Sequence, residues 1–246
     1  MKQVYLQIKE NRPITNGYDV WQMKLTGDCS DITAPGQFVN IKLDGFFLRR
    51  PISVCDYSDG SLTLIYKVGG GGTEKMGAMG KGEELDILTG LGNGFDISKS
   101  GENPVLLGGG AGVPPMYNLA KTLKAEGKNP TVIMGFNTKD EIYYLDEFEK
   151  VCNTIVTTVD GSFGTKGFVT DALKDLDYTY TYACGPEPML KAIYDASKTS
   201  GDYSFEERMG CGFGACMGCS CKTVTGYKRI CKEGPVLAKE EILWEK

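Results

Sequence analysis

Pro104-Val105-Leu106-Leu107-Gly108-Gly109-Gly110-Ala111-Gly112-Val113-Pro114-Pro115 is a short apolar run, then a glycine-rich turn, then the start of a helical pattern. Residues 114–126 carry apolar side chains at helical spacing (Met116, Leu119, Ala120, Leu123) and stop at Gly127. Further apolar runs follow at residues 131–136, 154–159 and 180–184, with helical segments between them and after Pro186. Strand and helix in alternation predict a Rossmann-like, doubly wound parallel sheet over residues 99–203.

Upstream, the rhythm differs. Residues 4–8, 18–25, 37–43, 51–54 and 61–67 alternate or nearly alternate, and Asn16-Gly17, Pro35-Gly36 and Asp59-Gly60 supply turns between several of them. Short, evenly spaced strands predict a closed antiparallel β-barrel over residues 1–98. A single short helix is expected near residues 73–79. The overall class is β plus α/β, multidomain, with a small C-terminal module at 204–246 that looks too short and too polar to bury a core of its own.

Composition narrows the chemistry. The net charge is 27 − 32 = −5, which gives no basic field for nucleic acid. No window approaches 18 unbroken apolar residues, and the N-terminus lacks the pattern of a signal peptide. Histidine is absent, which removes His-based triads, His-ligated zinc, Rieske clusters and His-ligated haem. Glycine reaches 33 of 246, about 13% against a usual share of about 7%. Five of the nine cysteines lie between Cys211 and Cys231, and an odd, clustered total favours metal or cluster ligation over disulfides.

Cys211, Cys216 and Cys219 are spaced C-x4-C-x2-C, with eleven residues before Cys231. That is the plant-type [2Fe–2S] pattern. Four thiolates must turn inward onto one small cluster, and Gly210, Gly212, Gly214 and Gly218 allow a backbone to do so. Cys221, one residue beyond Cys219-Ser220, reads as a bystander. A structural zinc site or a redox dithiol built on Cys216-Met217-Gly218-Cys219 are the competing readings.

Other signals point to phosphate-bearing cofactors. Arg50-Pro51-Ile52-Ser53 opens a strand, where an arginine can pair with a phosphate and a serine can reach a polar ring edge. Gly72-Thr73 ends a run of four glycines and opens a helix, with Thr73 expected as its N-cap over a bare anion-binding terminus. The loop Gly109-Gly110-Ala111-Gly112 stands where a dinucleotide loop would, although Pro115 replaces the third glycine of G-x-G-x-x-G. No acid ends the second strand; Asn137 stands there, with Asp140 and Glu141 later. Lys139 is the only nearby base, which favours NAD over NADP. Cys184-Gly185-Pro186 ends the fourth strand, so Cys184 is expected to face the crevice beyond the strand ends.

This order of parts resembles the ferredoxin–NAD(P) reductase superfamily. The tail Glu206-Glu207-Arg208-Met209-Gly210-Cys211 through Cys231-Lys232-Glu233-Gly234-Pro235-Val236 is similar to the electron-transfer subunits of class 1B dihydroorotate dehydrogenases. The resemblance implies FAD on the barrel, contacted by Arg50, Pro51, Ile52, Ser53, Ile65, Tyr66 and Lys67, with Gly72 and Thr73 at its pyrophosphate. It implies NAD on the sheet and a [2Fe–2S] cluster on Cys211, Cys216, Cys219 and Cys231. Many relatives have Tyr where Ile52 stands, so packing on the flavin ring must come from elsewhere, with Tyr66 the candidate. A cytoplasmic heterotetramer is also implied, two of each subunit, in which an FMN-containing catalytic subunit oxidises dihydroorotate in pyrimidine biosynthesis. Electrons then pass through the cluster and FAD to NAD+, chemistry that needs no histidine. Alternatives are a reductase of the same architecture serving a ferredoxin, hydrogenase or oxygenase, a redox-sensing module without turnover, and a zinc-stapled adaptor.

Overall fold

A computed structural model of the protein describes residues 1–15, 17 and 20–244. Tyr18 and Asp19 of the second predicted strand, and Asn16 of the turn before it, lie outside the described residues.

The barrel is built from β1 (Lys2–Pro13), β2 (Val20–Thr26), β3 (Phe38–Ile41), β4 (Arg50–Ser58), β5 (Ser61–Lys67) and β6 (Glu84–Leu91), with helix α1 (Gly71–Ala78) between β5 and β6. All pairings are antiparallel, and the order β1-β2-β5-β4-β3-β6 closes when β6 pairs back onto β1. Alternation explains the closure. Val4, Leu6 and Ile8 of β1 and Leu85 and Ile87 of β6 point into one apolar core with Leu62 and Leu64. The clean alternation of residues 84–91 is as legible as that of β1, yet it is absent from the strands read above.

The second unit contains β7 (Val105–Gly109), α2 (Val113–Ala125), β8 (Thr131–Phe136), α3 (Leu145–Glu149), β9 (Asn153–Thr158), β10 (Thr165–Lys166), α4 (Val169–Leu173), β11 (Thr181–Cys184), α5 (Glu187–Ala196) and β12 (Gly201–Ser204). β7 is buried along its whole length, as a central parallel strand covered on both faces must be. The chain moves outward from β7 through β8 and β9, then returns to place β11 on the other side of β7. That reversal opens a crevice beyond the strand ends, where ligands of such sheets bind.

The tail adds a hairpin, β13 (Ser220–Thr223) and β14 (Gly226–Arg229), and a last strand β15 (Val236–Ala238). β15 pairs antiparallel with β12 and completes a seven-stranded sheet. As its length and polarity predict, the tail builds no core of its own. It shares one: Cys219, Ile230, Cys231, Leu237 and Ile242 pack with Leu107 and Ala183 of the sheet and Phe38 of the barrel. β12 runs across the boundary drawn at residue 203.

Polar contacts fix the units together. Lys121 of α2 pairs with Asp56 of β4 at 2.7 Å, and Asn118 donates to the same carboxylate at 2.8 Å. Asn93, just after β6, holds the tail: its amide nitrogen donates to the carbonyls of Glu233 and Val236, and its oxygen accepts the Val236 N–H. Asn93→Ala removes these bonds and should lower unfolding free energy by about 2 kcal/mol in urea titration. An unchanged midpoint would show that β15 alone secures the tail.

Candidate functional site

Three groups of residues meet around the crevice. The first is on the barrel edge. Arg50 begins β4, its guanidinium 4.7 Å above the Phe46 ring and donating to the Leu48 carbonyl at 2.6 Å. It lies directly against Gly72, where a Cβ would come within 2.2 Å of its Nε. Two signals far apart in sequence thus form one cradle. Thr73 is not the N-cap expected of it. The helix starts at Gly71 with Gly70 as N-cap, and Thr73 sits inside the first turn, accepting from the Gly69 N–H and donating to the Gly70 carbonyl. Gly70 offers no capping side chain, which leaves the first N–H groups of the helix beside the Arg50 guanidinium. Such a set fits a pyrophosphate.

The second group is the crevice of the sheet. Residues Gly110–Gly112 form a tight turn, held by the buried Tyr143 hydroxyl donating to the Gly110 carbonyl at 2.7 Å. Gly112 abuts the next loop so closely that a Cβ would fall 2.1 Å from the Cys184 carbonyl oxygen. Pro114 and Pro115 occupy the first turn of α2, where missing N–H groups cost no helical bond, so the departure from a third glycine is structurally neutral. A cavity of about 420 Å³ opens here between Gly109, Gly110, Phe136, Phe168 and Pro186. A smaller one of about 130 Å³ brings Ile65, Tyr66 and Lys67 of the barrel against Gly110 and Ala111. Tyr66 buries its ring in the barrel core and donates its hydroxyl to Asn11 at 2.9 Å; burial pushes that hydroxyl's pKa up to about 12.

Glu141 borders both cavities. Sequence reading found no acid at the end of β8, yet Glu141 folds back and accepts the Asn137 N–H and side-chain amide at 3.0–3.1 Å. The spacing of four residues across a short turn was the available signal. Cys184 ends β11 opposite Gly108, and burial raises its thiol to about 12, partly offset by Ser204, so it is neutral near pH 7. Beside it, a third cavity of about 510 Å³ is lined by Pro51, Ser53, Ser204, Glu206 and Met209. Gly185 and Pro186 turn the chain from β11 into α5, Gly185 lying against Met189.

The third group is the thiol loop. Its cysteines form two pairs. The Cys211 sulfur accepts N–H bonds from Phe213, Ala215 and Cys216 at 3.2–3.5 Å, and the Cys216 sulfur accepts from Cys211 and Gly218. Cys219 accepts the Cys231 N–H at 3.4 Å. Burial opposes ionisation of Cys211, but these N–H groups outweigh it and draw the thiol down to about 6. Burial, then the neighbouring Cys219, pushes Cys231 up to about 12. Positive φ at Gly212 and Gly214 lets the loop curl around its sulfurs. Arg229 clamps it, donating to the Gly214 carbonyl at 2.6 Å while pairing with Glu233, whose carboxyl it holds down at about 2. Among the described residues, no three Cys, Asp or Glu side chains converge on a point suited to a single metal ion. The donor set fits an iron–sulfur cluster: four thiols, three of whose sulfurs accept backbone N–H bonds. Cys221 stands on β13 outside both pairs.

Residues 206–243 match the family model of the iron–sulfur cluster binding domain of dihydroorotate dehydrogenase B, and residues 106–195 match the oxidoreductase NAD-binding domain. The dihydroorotate dehydrogenase B (NAD(+)) electron transfer subunit of Fusobacterium nucleatum is 43% identical, over 96% of each chain. That of a Geobacillus species is 42% identical over 99% of each. The chain belongs to this family of electron transfer subunits. It is therefore an oxidoreductase subunit of the NAD-dependent enzyme. Among solved structures, a chain of an NADH-dependent reduced ferredoxin–NADP oxidoreductase is 31% identical with a TM-score of 0.88, covering 97% of this chain and 90% of that one. Phthalate dioxygenase reductase shares the fold, with a TM-score of 0.70 and 16% identity over 90% and 87% of the two chains.

The Arg50–Gly72 cradle yields a direct test. Gly72→Ala places a methyl group against the guanidinium and should reduce FAD retained through gel filtration, read as flavin absorbance per chain. Full occupancy would detach this cradle from the flavin.

Proposed function

We propose that this subunit carries electrons from an FMN-containing catalytic subunit to NAD+, as part of dihydroorotate oxidation to orotate, in a cytoplasmic assembly of two subunits of each kind. Its cofactors are FAD, a [2Fe–2S] cluster and NAD. Arg50, Pro51, Ile52, Ser53, Ile65, Tyr66 and Lys67 hold the flavin, and Gly72 and Thr73 border its pyrophosphate. The loop Gly109-Gly110-Ala111-Gly112 and Cys184-Gly185-Pro186 hold NAD. Cys211, Cys216, Cys219 and Cys231 ligate the cluster. Bound FAD supplies the exchange between hydride and single electrons; the chain's own residues bind, orient and insulate.

One observation carries this reading. The cavity of about 510 Å³ is walled by the barrel's Pro51 and Ser53, the sheet's Cys184, and residues 206–209, which lead directly into Cys211. A ligand there touches all three units at once. Anaerobically purified protein should absorb as flavin plus iron–sulfur, with about two irons per chain, and should form NADH from dihydroorotate when co-expressed with its catalytic partner. The 31% identity to a ferredoxin–NADP oxidoreductase chain favours a second reading, the same electron entry serving another partner. Failure with dihydroorotate but rapid NADH-to-dye turnover would select it.

Cys216→Ser should abolish the iron absorbance and transfer from the partner, while NADH-to-dye turnover, which does not pass through the cluster, persists. Loss of that turnover with FAD still bound would refute this division of roles. The partner's docking face is testable as well. Phe47 is fully exposed, two residues before Arg49, which donates to the Asn40 carbonyl; Asn40 in turn donates to Cys211. Met217 and Phe213 are exposed on the thiol loop. Phe47→Asp with Met217→Asp should release the catalytic subunit during co-purification; an intact complex would place the interface elsewhere.

A further inference from the structure

β3 contains one polar residue. Asn40 is 1% exposed in a strand otherwise made of Phe38, Val39 and Ile41. Val39 and Ile41 belong to the barrel core, whereas Phe38 packs outside it with Cys219 and Cys231. Alternation puts Asn40 on the Phe38 face. Across the ladder, Asn40 lies opposite Pro51 and Phe38 opposite Ser53; Phe38, Pro51 and Ser53 all wall the large cavity. On its other side the Asn40 amide donates to the Cys211 carbonyl at 3.2 Å. Gly212 rests on that amide: a Cβ there would lie 2.2 Å from Nδ2. The amide oxygen is buried and, among the described residues, has no hydrogen-bond partner, so the side chain is not there to satisfy itself. Arg49 donates to the Asn40 carbonyl and ties the same backbone to Asp86.

We propose that Asn40 is the positioning residue for electron exchange between flavin and cluster. It fixes the Cys211 segment against the strand pair that carries Pro51 and Ser53, and its N–H···O=C bond is the polar link joining those strands to a cluster ligand. This deepens the reading above and rests on it. Each crossing moves one electron: the cluster is oxidised by one and the flavin reduced by one, and no proton passes through the amide, which does not titrate. By fixing the Cys211 carbonyl it also holds the turn from which Phe213 and Ala215 donate to the Cys211 sulfur, and such bonds tune a cluster's potential.

The test uses the full-length, anaerobically reconstituted chain with Asn40→Leu and Asn40→Asp, both close in shape and both lacking the N–H donor. Iron and FAD per chain are measured first. Reduction of the cluster by NADH is then followed by stopped flow, normalised to turnover with a dye that takes electrons from the flavin. The cluster's EPR signal and midpoint potential are recorded. Both variants should keep about two irons and reduce the cluster roughly tenfold more slowly. Their EPR signals should shift, and the Asp variant's potential should fall below the Leu variant's because a carboxylate disfavours an added electron. Unchanged rate and potential in an iron-loaded variant overturn the proposal. So does loss of iron in both, which would make Asn40 only a holder of the loop. A wild-type chain without iron would instead overturn the site assignment itself.

Discussion

Burial of two cluster-loop cysteines in a core that belongs to all three units is the constraint on which the rest depends. Cys219 and Cys231 pack with Phe38 of the barrel and Leu107 and Ala183 of the sheet. A core is densely filled, so it has few alternative arrangements and little give. The thiol loop is therefore not a pendant hook. Its buried pair is located by the same contacts that seat the barrel on the sheet, and only Cys211 and Cys216 reach the surface. The Arg229 clamp and the Asn40 amide then orient the exposed half.

The electrostatics follow from that placement. The exposed pair lies among backbone N–H groups that favour thiolate at Cys211, while the buried pair is held toward the thiol form by desolvation at Cys231. Cys184 and Tyr66 are pushed up by burial, and no histidine exists to change charge near neutrality. Cys184 and Tyr66 thus stay neutral near pH 7, which suits a conduit whose redox chemistry resides in its cofactors.

Much of this was legible in the sequence because period and spacing are local. The strand–glycine–helix run at residues 104–115 reads correctly, and four spaced cysteines are placed by the structure in one loop region, where N–H···S bonds join them in two pairs. What local reading missed depends on distant partners. β15 has only three residues, and its strand identity comes from pairing with β12. Thr73 has the chemistry of an N-cap, but the helix begins at Gly71, where the chain passes against Phe46 and, at Gly72, against Arg50. Glu141 looks like surface charge until the turn at Lys139–Glu141 folds it onto Asn137. Asn40 is a single polar letter in an apolar strand, and its contact lies 171 residues away.

The seventh strand carries one more consequence. β15 covers the rim of β12 and is itself only three residues long, followed at once by Lys239, Glu240 and Glu241. Short, charge-flanked rims resist recruitment by other chains. A copy clipped or stalled before residue 236 would leave the row of amides and carbonyls on β12 bare, ready to template pairing with another incomplete copy. Residues 236–238 thus shield a sheet edge as well as filling a core, and a chain cut before them should aggregate.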